Sequence, residues 1–153
     1  MWAAVCCLLL HTPDSIAQAA SAQPAAAVAG MVKRATGAVR LERDNTGLAV
    51  APGLSVLVGD TVRTGSDGAV GITLADDTLL AIGPDSELVL SEFAFNSTTQ
   101  DGNMLASLWR GTLSVVTGLI GRKAPENVRV QTRTVVLGVR GTEFIVDAKG
   151  VQK

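Results

Sequence analysis

The sequence has no tyrosine, one histidine and two cysteines in 153 residues, and each scarcity removes a class of chemistry. The histidine is His11, and Cys6 and Cys7 lie just before it, so residues 23–153 contain none of the three residue types. Ser-His-acid and Cys-His nucleophilic sites need an imidazole and are excluded from that stretch. The nitrogen and sulfur ligands of zinc, copper or haem are missing as well, so neither a metal centre nor a cofactor is expected. No disulfide framework remains either.

Charge of one sign is also missing. Lys plus Arg is 13 and Asp plus Glu is 14, and the one acid before Lys33 is Asp14, so residues 23–153 balance. Nucleic acid and anionic lipid require a basic patch, and neither is expected as a partner. Long apolar runs are confined to Trp2–Leu10, far short of the roughly 20 residues that span a bilayer, so no membrane span is expected. The run suits the apolar part of a secretory signal, and Ala17-Gln18-Ala19 or Ala20-Ser21-Ala22 provides the small residues of a cleavage site. No Lys or Arg precedes it, which departs from the usual signal pattern. A lipoprotein cysteine would follow a completed apolar segment, whereas Cys6 and Cys7 sit inside one. Residues 1–22 are therefore expected to be a signal peptide, residues 23–36 an Ala-rich leader, and the protein extracytoplasmic.

From Gly37 to Lys153 the pattern is that of a folded domain. Apolar residues make up 47% of the chain and charged residues 18%, enough of the former for a packed core. Val70, Ile72 and Leu74 alternate with small residues, and the same period of two recurs at Leu80 and Ile82 and at Leu88 and Leu90. Leu113 with Val115, Val128 with Val130, and Phe144 with Val146 repeat it. Alternation of this kind buries one face of a strand. Turn residues punctuate it: Gly59-Asp60, Gly65-Ser66-Asp67-Gly68, Asp76-Asp77, Gly83-Pro84-Asp85-Ser86 and Asp101-Gly102-Asn103. Asn103–Arg110 reads equally well as two helical turns or as a strand. The class is all-β, with a sandwich, a barrel and a short solenoid all compatible. Leu74, Leu80, Ile82, Leu88, Leu113, Val130 and Phe144 are expected to point inward.

Paired carboxylates are the catalytic chemistry that the composition leaves open. Asp60, Asp76, Asp77, Asp85, Glu87 and Glu143 are the candidates, and most of them stand in turns, where Asp is expected without a function. The Asp67 and Asp76-Asp77 turns offer oxygen ligands for calcium, but at no recognisable loop spacing. Asn96-Ser97-Thr98 has the pattern of a glycosylation sequon and nothing more.

Seven elements occur in order: Gly37-Ala38-Val39; Val58-Gly59-Asp60-Thr61-Val62-Arg63-Thr64-Gly65; Leu74-Ala75-Asp76-Asp77-Thr78; Gly83-Pro84-Asp85-Ser86-Glu87-Leu88; Leu108-Trp109-Arg110-Gly111-Thr112-Leu113; Val130-Gln131-Thr132; and Gly138-Val139-Arg140-Gly141-Thr142-Glu143-Phe144. Together they resemble the FecR domain, a family of extracytoplasmic β-rich modules. The resemblance implies a short twisted β-solenoid or a sandwich-like domain over residues 37–153, in the periplasm or its equivalent. Asp76-Asp77-Thr78 departs from the family's usual Asp-Gly-Thr, and Thr132-Arg133 from its frequent Thr-Pro. Family members usually continue past the strand at Phe144, so the resemblance implies either a short last strand or a chain that is a fragment.

Arg140, Gly141 and Thr142 belong to the family's own hallmark and not to a described catalytic site. An arginine beside a glycine can lay its planar fork on backbone carbonyls or a carboxylate at a tight corner. The expectation is a structural clamp, with a partner contact as its rival. No catalytic residue and no metal ligand is assigned, and the residues of a binding site are not specified. FecR-type regulators of iron uptake relay signals through a cytoplasmic segment, a membrane span and a periplasmic β domain, and this chain resembles the last alone. The expected function is a non-catalytic envelope module that binds or senses an envelope protein or a cell-wall glycan. The alternative is a carbohydrate-active enzyme on a β scaffold.

Overall fold

The computed structural model describes residues 27–138 and 141–148. Twelve strands form one curled, largely antiparallel sheet, a half-barrel, and the all-β expectation holds. In chain order they are β1 (Val28–Thr36), β2 (Val39–Arg43), β3 (Thr46–Ala49), β4 (Ser55–Leu57), β5 (Thr61–Thr64) and β6 (Ala69–Leu74). After these come β7 (Leu79–Ile82), β8 (Glu87–Phe95), β9 (Gly102–Val116), β10 (Val128–Gln131), β11 (Val136–Gly138) and β12 (Glu143–Ala148). Between β9 and β10 lie a five-residue helix, α1 (Leu119–Lys123), and a single 3₁₀ turn at Pro125–Asn127.

The fifteen-residue β9 organises the curl. Its first part pairs antiparallel with β8 and parallel with β10. From Gly111 onward it pairs with β12, and from Leu113 also with β7. Half A of the sheet thus runs β4-β1-β6-β7-β9-β12, and half B runs β3-β2-β5-β8-β9-β10-β11. The handover occurs at Gly111, whose φ of 87° suits glycine and whose missing side chain leaves room for Ser86. Asn103–Arg110, which read as helix or strand, is strand throughout.

The core lies within the curl. Leu74, Leu80, Ile82, Leu88, Leu113 and Val130 are buried as their alternation predicts. Each such side chain contributes about 1.5–3 kcal/mol by leaving water. Phe144 is only half-buried and packs against the rim of the core, because β12 is paired on one side alone among the described residues.

The expected leader over residues 23–36 needs correction from Val28 onward. Residues 28–36 are β1, hydrogen-bonded between β4 and β6, with Ala29 and Val32 in the core. The register shifts against β4 between Val28 and Gly30 and against β6 between Val32 and Arg34, so Ala29 and Lys33 are each an extra residue and the inward positions Ala29, Val32 and Ala35 fall three apart. Inward residues three apart do not carry the period of two that marks a strand. Gly30 allows β1 to lie close against β6, since a Cβ there would meet the Thr73 carbonyl. The expected signal segment, residues 1–22, lies outside the described residues.

Candidate functional site

The six candidate carboxylates do not converge on one groove. Asp60 ends the turn between β4 and β5 and is 1% exposed. Arg43, at the end of β2, grips it with both arms of its fork: Nε donates to Oδ1 at 2.8 Å and Nη2 to Oδ2 at 2.6 Å. The Leu57 amide donates to Oδ2 at 2.8 Å, and Arg43 Nη2 also donates to the Ser55 carbonyl. Hydrogen bonding to Asp60, with its Coulombic attraction, raises the Arg43 pKa above its ordinary value despite some desolvation. The ion pair ties β2, β4 and β5 into one corner.

Asp76 is fully buried in the turn between β6 and β7. It accepts from the Thr78 amide at 3.1 Å, the Thr78 hydroxyl at 2.7 Å and, through Oδ2, the Ile120 amide at 3.4 Å. Its carbonyl accepts from the Leu119 amide, and Thr78 Oγ1 from the Gly118 amide. The Asp76-Asp77-Thr78 turn therefore receives the backbone where β9 gives way to α1, and Gly118 leaves the space this docking needs. Asp77 stands at φ 65° in the place where the family usually has glycine. Aspartate tolerates that left-handed conformation, so the departure leaves the turn tight.

Four acids remain. Asp85 is an exposed turn residue at φ 49° whose carbonyl accepts from Arg110 Nε at 3.1 Å. Glu87 faces Arg63 at 3.2 Å on the outer surface of half B, and Asp77 and Glu143 are exposed. Asp67, the other calcium candidate, accepts from the Ala38 amide at 3.2 Å. Asn96 Oδ1 accepts from the Thr98 and Thr99 amides and closes the loop between β8 and β9. Among the described residues, no three of His, Cys, Asp or Glu gather to hold a metal ion.

A second corner collects hydroxyls. Thr64 Oγ1 donates to the Gly83 carbonyl at 2.6 Å and accepts from the Ser86 amide at 2.9 Å. Ser86 Oγ accepts from the Thr112 amide at 3.0 Å, directly at the Gly111 handover. Thr64, Ser86 and Thr112 come from separate sequence motifs and meet at one seam between the halves. Chemically, this seam and the Asp60 and Asp76 turns consist of saturated hydrogen-bond networks. Among the described residues no buried side-chain polar atom lacks a partner.

Arg140, the expected clamp, lies outside the described residues. Gly141 and Thr142 are described, and their role is in the backbone. The Thr142 carbonyl accepts from the Thr117 amide at 2.8 Å and from its hydroxyl at 3.3 Å, and the Gly141 carbonyl also accepts from that hydroxyl. Gly141 has φ 137° with open space where a Cβ would go, so it serves backbone conformation and not close packing. The arginine clamp that sequence reasoning missed is Arg43. Its only advance signals were the Val-Gly-Asp turn and an arginine closing a strand.

A family model described as FecR protein matches residues 60–152, more than half of the chain. No curated protein and no solved structure matches it. The matched range begins at Asp60, the acid in the Arg43 corner, and contains both the Asp76 turn and the Thr64–Ser86–Thr112 seam. Among the described residues no helix is long and apolar enough to cross a membrane.

Proposed function

Because the chain belongs to the FecR protein family, we propose that it is a non-catalytic module of the cell envelope that binds or senses an envelope protein or a cell-wall glycan from outside the cytoplasm. The family supports a sensory or regulatory envelope role. What supports the absence of catalysis is the state of the acids. Asp60 and Asp76, the two buried ones, spend their oxygens on Arg43, Thr78 and backbone amides. A general acid or nucleophile needs an oxygen turned toward substrate and a partner carboxylate across a cleft. The apolar run ending at Leu10 and the small residues behind it support export.

Cell fractionation followed by crosslinking in the envelope fraction tests the proposal. Processed protein beginning after Ala19 or Ala22, joined to an envelope protein or glycan, is the expected result. Full-length protein starting at Met1 and confined to the cytoplasm overturns it. Incubation with cell-wall glycan should release no reducing ends; their release would make the paired-carboxylate enzyme the better account.

A further inference from the structure

Half A turns a five-strand face to solvent, β1-β6-β7-β9-β12, whose cross-strand rows follow from the register. One row runs Met31, Thr73, Leu79, Val116, Glu143, and the next runs Arg34, Gly71, Ala81, Ser114, Ile145. The three middle strands place only uncharged and mostly small residues on this face. Asp77 sits in the turn beyond their ends. Met31, Leu79 and Ile145 are 43%, 46% and 69% exposed, and shallow depressions of about 320 and 350 Å³ open beside β1. An uncharged strip with exposed apolar residues on its central strand and at its margins is unusual for a surface meant only to face water.

The charges lie at the two sides, and they are opposite. Lys33 and Arg34 are exposed on β1, and Glu143 and Asp147 are exposed on β12. None of the four has an ion-pair partner among the described residues. Four strand spacings separate the sides, about 19 Å at roughly 4.8 Å each, too far for them to pair within one chain.

We propose that this face is the interface of a homodimer, in which a second copy of the chain packs its half A face to face on the first. A two-fold axis along the strands lays β12 of one copy over β1 of the other, twice. Lys33 and Arg34 then meet Glu143 and Asp147 at both margins, while the small residues of β6, β7 and β9 let the sheets approach to the usual spacing of about 10 Å. An axis across the strands would set like charges against each other, so the pattern selects a single arrangement. The patch measures about 20 by 20 Å, so two copies bury about 800 Å² in total, the size of a weak, transient interface.

Sedimentation of the full chain between about 10 and 500 μM at low salt should show a reversible dimer that weakens as salt rises. The decisive experiment uses two charge-reversed proteins, Lys33→Glu with Arg34→Glu, and Glu143→Lys with Asp147→Lys. Each alone has like charges at both margins and should lose at least tenfold in self-association. Mixed, they restore opposite charges at both margins and should form a heterodimer. Ser114→Lys, in the middle of the face, should give a monomer with an unchanged melting curve, which keeps the test open if a reversed protein folds poorly. A wild-type chain monomeric throughout overturns the proposal, as does a dimer indifferent to Ser114→Lys or reversed proteins that ignore each other when mixed.

Discussion

On the outer face of half B, Arg63 stands opposite Glu87 on β8 and diagonal to Glu42 on β2, with Arg40 directly across from it, while Thr73, Leu79 and Val116 form an uncharged row on half A. Arg63 reaches both acids, at 2.9 and 3.2 Å, and further along the same half Arg129 lies 3.6 Å from Glu92. One face is laced with cross-strand ion pairs and the other has its charges exiled to opposite edges. Both belong to one curled sheet with one core, so fold stability does not require the difference. The comparison teaches that inward residues of this sheet are set by packing, whereas outward residues are free to record what each face meets. Half B meets water.

The same ionic chemistry has another value where the sheet closes. Asp60→Ala removes a buried carboxylate and leaves Arg43 Nε and the Leu57 amide without their acceptor, with only the Ser55 carbonyl still held by Arg43 Nη2. A loss of about 3 kcal/mol is expected, the lower end for a broken buried pair, because Arg43 is 27% exposed and regains some water. Arg63→Ala, on the open face of half B, should cost less than about 1 kcal/mol. Urea unfolding of the two variants beside the parent checks the contrast. Equal losses would mean that burial is not what separates corner from face. The next largest effect falls at the handover between halves: Gly111→Ala combines a positive φ with collision against Ser86 and should cost about 2–3 kcal/mol. A Gly111→Ala protein as stable as the parent would show that β9 can change halves without its glycine.

Much of the inner surface was legible in the sequence, because period-two alternation and burial share one cause in a half-wet strand. Leu80, Ile82 and Leu113 follow the rule without exception. β1 was not legible, since register shifts between Val28 and Gly30 and between Val32 and Arg34 hide its alternation. The Arg43 clamp was not legible either: Arg43 and Asp60 are 17 residues apart and meet only because β2 pairs with β5. The uncharged face of half A needs the register of five strands before Ala81, Ser114 and Ile145 become neighbours. The expectation of a clamp at Arg140 falls on a residue outside the described ones, whereas the clamp at Arg43 is flanked by Glu42 and Asp44 and has no neighbouring glycine to mark it.

Gly141 gives a smaller effect that still bears on the two faces, because it precedes β12 and its carbonyl is held by Thr117. With φ at 137° and no atom within 4 Å of a Cβ, alanine meets conformational strain alone. Gly141→Ala should cost about 1–2 kcal/mol, less than Gly111→Ala, where collision adds to strain. Thermal unfolding of the two variants in parallel checks the order. If Gly141→Ala proves the worse of the two, β12 is anchored by something beyond its backbone hydrogen bonds to β9 and Thr117.

The smallest effect belongs to another exposed ion pair of half B, at the tip of the loop between β8 and β9. Lys123 Nζ lies 2.6 Å from Asp101 Oδ1 and donates to the Thr99 carbonyl at 2.7 Å, tying α1 to the loop. The hydrogen bond from Lys123, and then that from Thr99, holds the Asp101 pKa below its ordinary value of 3.8. A depressed carboxylate stabilises the folded state above its unfolded pKa, and that contribution is lost as pH falls through the folded value. Asp101→Asn should therefore melt slightly below the parent near neutral pH, and the gap should close as the solution is acidified to about pH 3 and below. High salt at neutral pH should close it too, because both groups are wet. Melting curves of parent and variant across that acid range, with and without about 1 M salt, provide the check. A gap that persists in acid and in salt would mean that the Asp101 side chain acts through packing or hydrogen bonding that does not depend on its charge, and the likeness between this pair and the half B ladder would fail.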